Sequence, residues 1–180
     1  MRADAARNLD AILEAGARLL DEDPSTSFTT LAAEAGVSRN LVHRRFPDRE
    51  ALRDAVFRAK LDAVDAVLRE ARLEYAPVEV ALHRFVEGVI AVIRRYPINP
   101  EQMRSDAQSY TRMLDQRERV AAFMQRAMDE GLIRTDLPDG VAPALLHKII
   151  ALVTFQLPDH DPARAADVAV DTLLRGIGQN

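Results

Sequence analysis

Between residues 9 and 177 the apolar side chains of this 180-residue chain return every three or four positions, and no segment alternates apolar with polar residues as a half-buried strand would. That periodicity points to an all-α fold of about nine helices, each hiding one stripe. A chain of this length can bury a sizeable core unaided. It must do so without disulfides, because it contains no cysteine, which also excludes thiolate metal sites.

The punctuation between the periodic stretches places the helices. Leu9, Ile12, Leu13, Leu19 and Leu20, with Gly16 on the same face, mark the first. Residues 21–27 interrupt it with acids, a proline and hydroxyls, and Ser27 is suited to cap a second helix whose inward face is Leu31, Ala32 and Ala35. Gly36 ends that helix, Ser38 caps a third running to about Arg45, and Pro47 with Asp48 precedes a long fourth helix beginning near Arg49. Leu52, Val56, Ala59, Ala63 and Val67 line its core face. Further helices are expected over residues 80–96, 101–114, 115–130, 141–157 and 163–177, separated by Pro97, Pro100, Gly131 and the breaks at 136–140 and 158–162.

Charge is unevenly spread. The net charge of −4 argues against a protein that coats nucleic acid indiscriminately. Residues 36–60 nevertheless carry seven basic side chains against three acidic ones, whereas residues 61–180 carry 14 basic and 18 acidic. A nucleic-acid contact would therefore lie in the first third. The longest apolar runs, 89–93 and 149–155, fall far short of the roughly 20 residues that span a bilayer. With no leader-like start to the sequence, a cytoplasmic protein without membrane association is expected.

The basic stretch contains a recognisable constellation. A helix-turn-helix that reads DNA needs a small residue inside its first helix, a turn glycine about four residues later, and apolar residues locking the two helices. Ala32, Gly36, Val37 and Val42 meet those needs. The third helix would bury Val42 and Phe46 and turn Arg39, Asn40, Leu41, His43 and Arg44 outward, a set suited to the major groove.

The runs Leu31-Ala-Ala-Glu-Ala-Gly-Val-Ser38, Leu41-Val-His-Arg-Arg-Phe46 and Pro47-Asp-Arg-Glu-Ala-Leu52 resemble the DNA-binding signature of the tetracycline-repressor (TetR) family. The stretch Glu130-Gly-Leu-Ile-Arg-Thr-Asp-Leu137 is similar to the turn that commonly precedes that family's last two helices. Asn40 and Leu41 stand where the family usually has glycine and threonine, His43 where it has tyrosine, and Arg49 where it has lysine. The resemblance implies a helix-turn-helix domain over residues 1–48 and a regulatory, effector-binding and dimerisation domain over 49–180, with the fourth helix as connector.

Roles follow from side-chain chemistry. Arg39 and Arg44 suit a guanine edge or a phosphate, Asn40 an adenine edge, Leu41 a thymine methyl, and Arg49 a phosphate; Ser27, Thr30, Ser38 and His43 complete the expected DNA-binding set. The family resemblance further implies a pocket for a small effector among helices four to eight, for which Phe85, Val89, Met103, Tyr110, Met113, Phe123, Met124, Met128, His147 and Phe155 are candidates. It also implies a dimer interface on the last two helices. Leu145, Leu146, Ile149, Ile150, Val153, Val168, Leu173, Leu174 and Ile177 supply its apolar faces, which could close a four-helix bundle between two copies.

The partners expected are thus a double-stranded DNA operator, a small-molecule effector and a second copy of the chain, with no cofactor or metal. The leading function is a repressor that binds a palindromic operator as a dimer and is released by its effector. The same motif would equally serve an activator or an effector-independent regulator, and a protein-interaction module with a vestigial helix-turn-helix is a further reading. No phosphate loop, nucleophile elbow or paired histidine-carboxylate motif supports an enzyme.

Overall fold

The computed structural model describes residues 2–98 and 106–179. Among them are eight helices and no strand: α1 Arg2–Glu22, α2 Phe28–Glu34, α3 Arg39–Arg45, α4 Arg49–Ala71, α5 Val78–Arg95, α6 Ala107–Asp129, α7 Val141–Gln156 and α8 Pro162–Ile177. The chain forms two compact units, one of residues 1–62 with 95–111 and one of residues 63–94 with 112–180. Helices α4 and α6 each contribute to both.

The all-α expectation holds, with one difference in helix count. Residues 107–129 form a single helix, α6, where separate helices over 101–114 and 115–130 were expected; the first residues of that stretch lie outside those described. No proline or glycine falls between Ala107 and Asp129. Met113, Gln116, Val120, Phe123, Met124 and Ala127 continue one buried face through the expected junction, so nothing physical stops the helix there.

In the first unit, Ile12, Leu13 and Leu20 of α1, Leu31 and Ala32 of α2, Val42 of α3, and Leu52, Val56 and Phe57 of α4 are buried. Tyr96 and Ile98, beyond the end of α5, are buried in the same unit. Arg95 Nε donates to Glu14 Oε1 at 2.7 Å, and Lys60 Nζ donates to the Ile98 carbonyl at 2.8 Å, so this segment is tied to α1 and to α4.

The second unit has a larger core that draws on the end of α4, on α5, α6, α7 and α8, and on the turns between them. Two arginines satisfy the backbone where helices end. Arg126 donates to the carbonyls of Leu73 and Ala76 at 2.6 and 2.7 Å, and Arg94 donates to those of Leu157 and His160 at 2.7 and 2.5 Å. These turn carbonyls have no helical partner, and charged donors satisfy them well. Asp161 caps α8 by accepting from the Arg164 amide at 2.8 Å, with Pro162 as its first residue.

Candidate nucleic-acid interface

The local geometry of α2 and α3 follows from their caps. Ser27, extended at φ −76° and ψ 151°, accepts the Thr30 amide at 3.1 Å, and its hydroxyl lies 2.9 Å from that of Thr30. Both side chains are therefore engaged in starting α2. Gly36 sits at φ +64°, a left-handed conformation that costs glycine little, and the Val37 amide closes onto the Ala32 carbonyl at 3.0 Å. Ser38 then caps α3 by accepting the Leu41 amide at 3.3 Å. A short, tight turn thus separates the two helices.

α3 buries Val42 completely and is followed by Phe46 at 5% exposure. Arg39, Asn40, His43, Arg44 and Arg45 are exposed and Leu41 is half-buried. Leu41, Arg44 and Arg45 face the start of α1 across a groove of about 350 Å³ that Asp4, Ala5, Asn8 and Leu9 also line.

On the other side of α3 the side chains are more ordered. Arg39 Nε donates to His43 Nε2 at 3.2 Å, and the His43 ring meets the Phe28 ring edge-on, with centroids 5.0 Å apart and planes at 66°. Ser27, Phe28, Thr29, Arg39, His43, Asp48, Arg49 and Glu50 line one concavity of about 670 Å³.

Arg49 is exposed at the start of α4, and its Nε donates to the Thr26 carbonyl at 2.9 Å. This contact ties α4 to the loop before α2 and leaves the terminal nitrogens of the guanidinium for another partner. Asp23, in the same loop, accepts from both the hydroxyl and the amide of Ser25. Those hydrogen bonds, helped by the Arg49 charge, hold its carboxyl below the ordinary range. Asp48 caps α4 by accepting the Ala51 amide at 2.8 Å.

Every residue expected to meet DNA therefore lies on this unit, and all but Leu41 are exposed. Phe28, Thr29 and Arg45 were absent from the sequence-based set. An aromatic residue directly after a helix cap was the available signal for Phe28.

Residues 12–56 match the model for bacterial regulatory proteins of the tetR family. That segment of the chain is thus similar to the DNA-binding part of the tetR family. Over 82 residues it is 38% identical to the HTH-type transcriptional repressor LfrR of Mycolicibacterium smegmatis, a match covering 46% of this chain and 43% of that repressor. The chain thus spans under half the length of the curated relative it matches.

Solved TetR-like structures extend the likeness in fold. A crystal structure of the regulator LfrR from Mycobacterium smegmatis superposes with a TM-score of 0.74 at 23% identity, covering 97% of this chain and 98% of that one. LfrR in complex with proflavine gives 0.72 at 25% identity, covering 95% and 97%. The ketosteroid regulator KstR2 of Mycobacterium tuberculosis gives 0.71 at 19%, covering 94% of each chain.

The remaining expected sites are distributed as follows. Phe85, Phe123 and Met124 are buried in the core of the second unit, with Val89 and Met128 packed against it. Met113 is buried in that unit, whereas Tyr110 is half-buried and belongs to the first. His147 is exposed, with Nδ1 2.7 Å from the Pro143 carbonyl, and Phe155 is 63% exposed. Met103 lies outside the described residues.

Of the expected dimer set, Leu146, Ile150, Val153, Leu173 and Ile177 are buried within the chain's own core. Ile149, Val168 and Leu174 are partly buried against that core, and Leu145 is exposed. Leu152, at 59% exposure, extends the outward apolar stripe of α7 from Leu145 to Phe155, and sequence reasoning omitted it from the interface. Its seven-residue spacing from Leu145 was the signal that could have found it. The described residues hold no group of potential metal ligands and no helix long and apolar enough to cross a membrane.

Proposed function

We propose that this chain is a transcriptional regulator of the TetR family, a repressor that binds a palindromic DNA operator as a homodimer and is released by a small-molecule effector. One observation carries the DNA-binding part. α3 hides Val42 against the first unit and turns Arg39, Asn40, His43 and Arg44 to solvent, behind a glycine turn and two serine caps. That is how a recognition helix enters a major groove. The acidic balance of residues 61–180 supports a DNA-contacting domain over residues 1–48, joined through α4, whose first residue Arg49 borders the DNA face, to a regulatory domain over the rest.

The repressor and effector parts draw on likeness. LfrR is a transcriptional repressor and has been solved with proflavine. In this chain Phe85, Val89, Phe123, Met124 and Met128 gather in one unit from α5 and α6. Methionines there can repack around a guest. The second copy would cover the exposed stripe of Leu145, Leu152 and Phe155 on α7, with Ile149, Val168 and Leu174 beside it.

Selection of binding sites from a randomised duplex pool tests the reading. An inverted repeat should emerge, with half-sites one or more helical turns apart. Asn40→Ala should cost about 1 to 3 kcal/mol on that sequence and flatten preference at one base position. Arg49→Ala should weaken all sequences alike and make the dependence of log affinity on log salt shallower by about one unit per lost phosphate contact. If Arg49→Ala alters base preference while Asn40→Ala leaves it untouched, the docking is wrong.

A further inference from the structure

We propose that His43 is a positioning residue that sets which edge of Arg39 reads DNA, so that Phe28, His43 and Arg39 act together as one reader of guanine. The proposal deepens the reading of α3 as a recognition helix and rests on it.

Arg39 opens α3 and His43 lies one turn further on, so their side chains share a face. A guanidinium can grip the O6 and N7 of guanine with two parallel N–H groups, either along its terminal edge or along the edge that includes Nε. Here Nε–H is already given to His43 Nε2 at 3.2 Å. The side edge is occupied, and the terminal pair of nitrogens is the edge left to offer. An unrestrained arginine gives up rotamer freedom when it makes a contact. Holding the side chain beforehand reduces what binding must take away.

The holder is itself held. His43 is exposed and would swing freely, but its ring rests edge-on against Phe28, the first residue of α2. Phe28 is half-buried, so the order runs from the folded unit through an aromatic contact and one hydrogen bond to the guanidinium. Nothing else in the first third of the chain gives Arg39 a side-chain partner among the hydrogen bonds and ion pairs described.

The acceptor role requires a neutral imidazole with its hydrogen on Nδ1. A proton added at Nε2 replaces the acceptor by a donor and sets two cations against each other at that distance. The pair then opens and Arg39 loses its fixed edge. The charged groups facing His43 are Arg39 on its own helix and Asp48, Arg49 and Glu50 at the start of α4; α2 contributes Ser27, Phe28 and Thr29.

The test uses the intact protein and the sequence that wild type selects from a randomised duplex pool. Affinities are measured for that duplex and for versions with the half-site guanines replaced singly by adenine. Arg39→Ala should abolish preference at one guanine. His43→Ala should reduce the guanine-to-adenine ratio at that same position by about tenfold and leave other positions unchanged. His43→Gln, whose amide oxygen can accept from Arg39, should keep the ratio. An unchanged ratio in His43→Ala, or failure of the Gln variant to retain the ratio, would overturn the proposal while leaving the repressor reading in place. If wild type selects no sequence at all, that reading falls and takes this proposal with it.

Discussion

Lys60 offers a measurable test of how the first unit is built. Its side chain sits on α4 next to the fully buried Val56 and Phe57, is only 8% exposed, and donates to the carbonyl of Ile98. Burial pushes its pKa down from the ordinary 10.5 to about 8, and the nearby Asp21 carboxylate only partly opposes this. The gap corresponds to about 3 kcal/mol spent on keeping the ammonium charged inside the fold at neutral pH.

Because the folded value lies below the unfolded one, the unfolded chain binds more protons between pH 8 and 10.5. Stability therefore rises as pH climbs through that window. Lys60→Met removes the buried charge but leaves the Ile98 carbonyl without its donor, a loss of about 1 to 2 kcal/mol. At pH 7 the variant should be the more stable by about 1 to 2 kcal/mol. By pH 10 most of the charge cost has gone from wild type, the hydrogen bond remains, and the order should reverse. Urea unfolding of both proteins at pH 7, 8, 9 and 10 reads this directly, and the difference cancels contributions from Lys148, the only other lysine, and from the tyrosines. A difference that stays constant across the series would refute the assignment of a buried, strained ammonium.

Three other outcomes can be checked alongside. A Cβ on Gly88 of α5 would lie 2.7 and 2.8 Å from the two γ-carbons of Val67 on α4, so Gly88→Ala should cost about 1 to 3 kcal/mol despite its better helix propensity. Chemical denaturation should show Val67→Ala rescuing part of that loss in the double variant; two additive losses would mean the helices do not meet there. Burial alone would raise the Asp65 pKa, but hydrogen bonds from Gln116 at 2.8 Å and Arg112, with the charges of Arg112 and Arg119, hold it below the ordinary 3.8. Asp65→Asn should thus cost about 1 to 2 kcal/mol at pH 7 in the same assay, with the gap from wild type narrowing as pH falls below about 4. Leu152→Glu should yield a folded monomer by sedimentation, since this side chain projects from α7 and takes no part in the core; retained dimers would place the interface elsewhere.

What could be read from the sequence depended on how local the cause is. Ser27, Gly36 and Ser38 act within three or four residues, so the ends of α2 and the start of α3 were legible, as was the split between inward Val42 and outward Arg39, Asn40 and His43. Long-range partnerships were not. Lys60 read as one more member of a basic stretch, because its burial depends on Ile98 arriving from 38 positions away. The Phe28 contact with His43 likewise joins two helices across a turn.

α7 shows why a correct list of apolar residues still leaves the assembly open. Leu145, Leu146, Ile149, Ile150, Leu152, Val153 and Phe155 cover well over half of this helix, wider than one core-facing stripe. Hydropathy therefore recognises them as one set, while the fold divides it. Leu146, Ile150 and Val153 turn into the chain's own core, and Leu145, Leu152 and Phe155 turn out. A monomer gains nothing from the second group, and large exposed side chains in a continuous stripe favour association. The surplus of apolar residues on α7, beyond what one core can bury, is thus the part of the sequence that argues for a second copy.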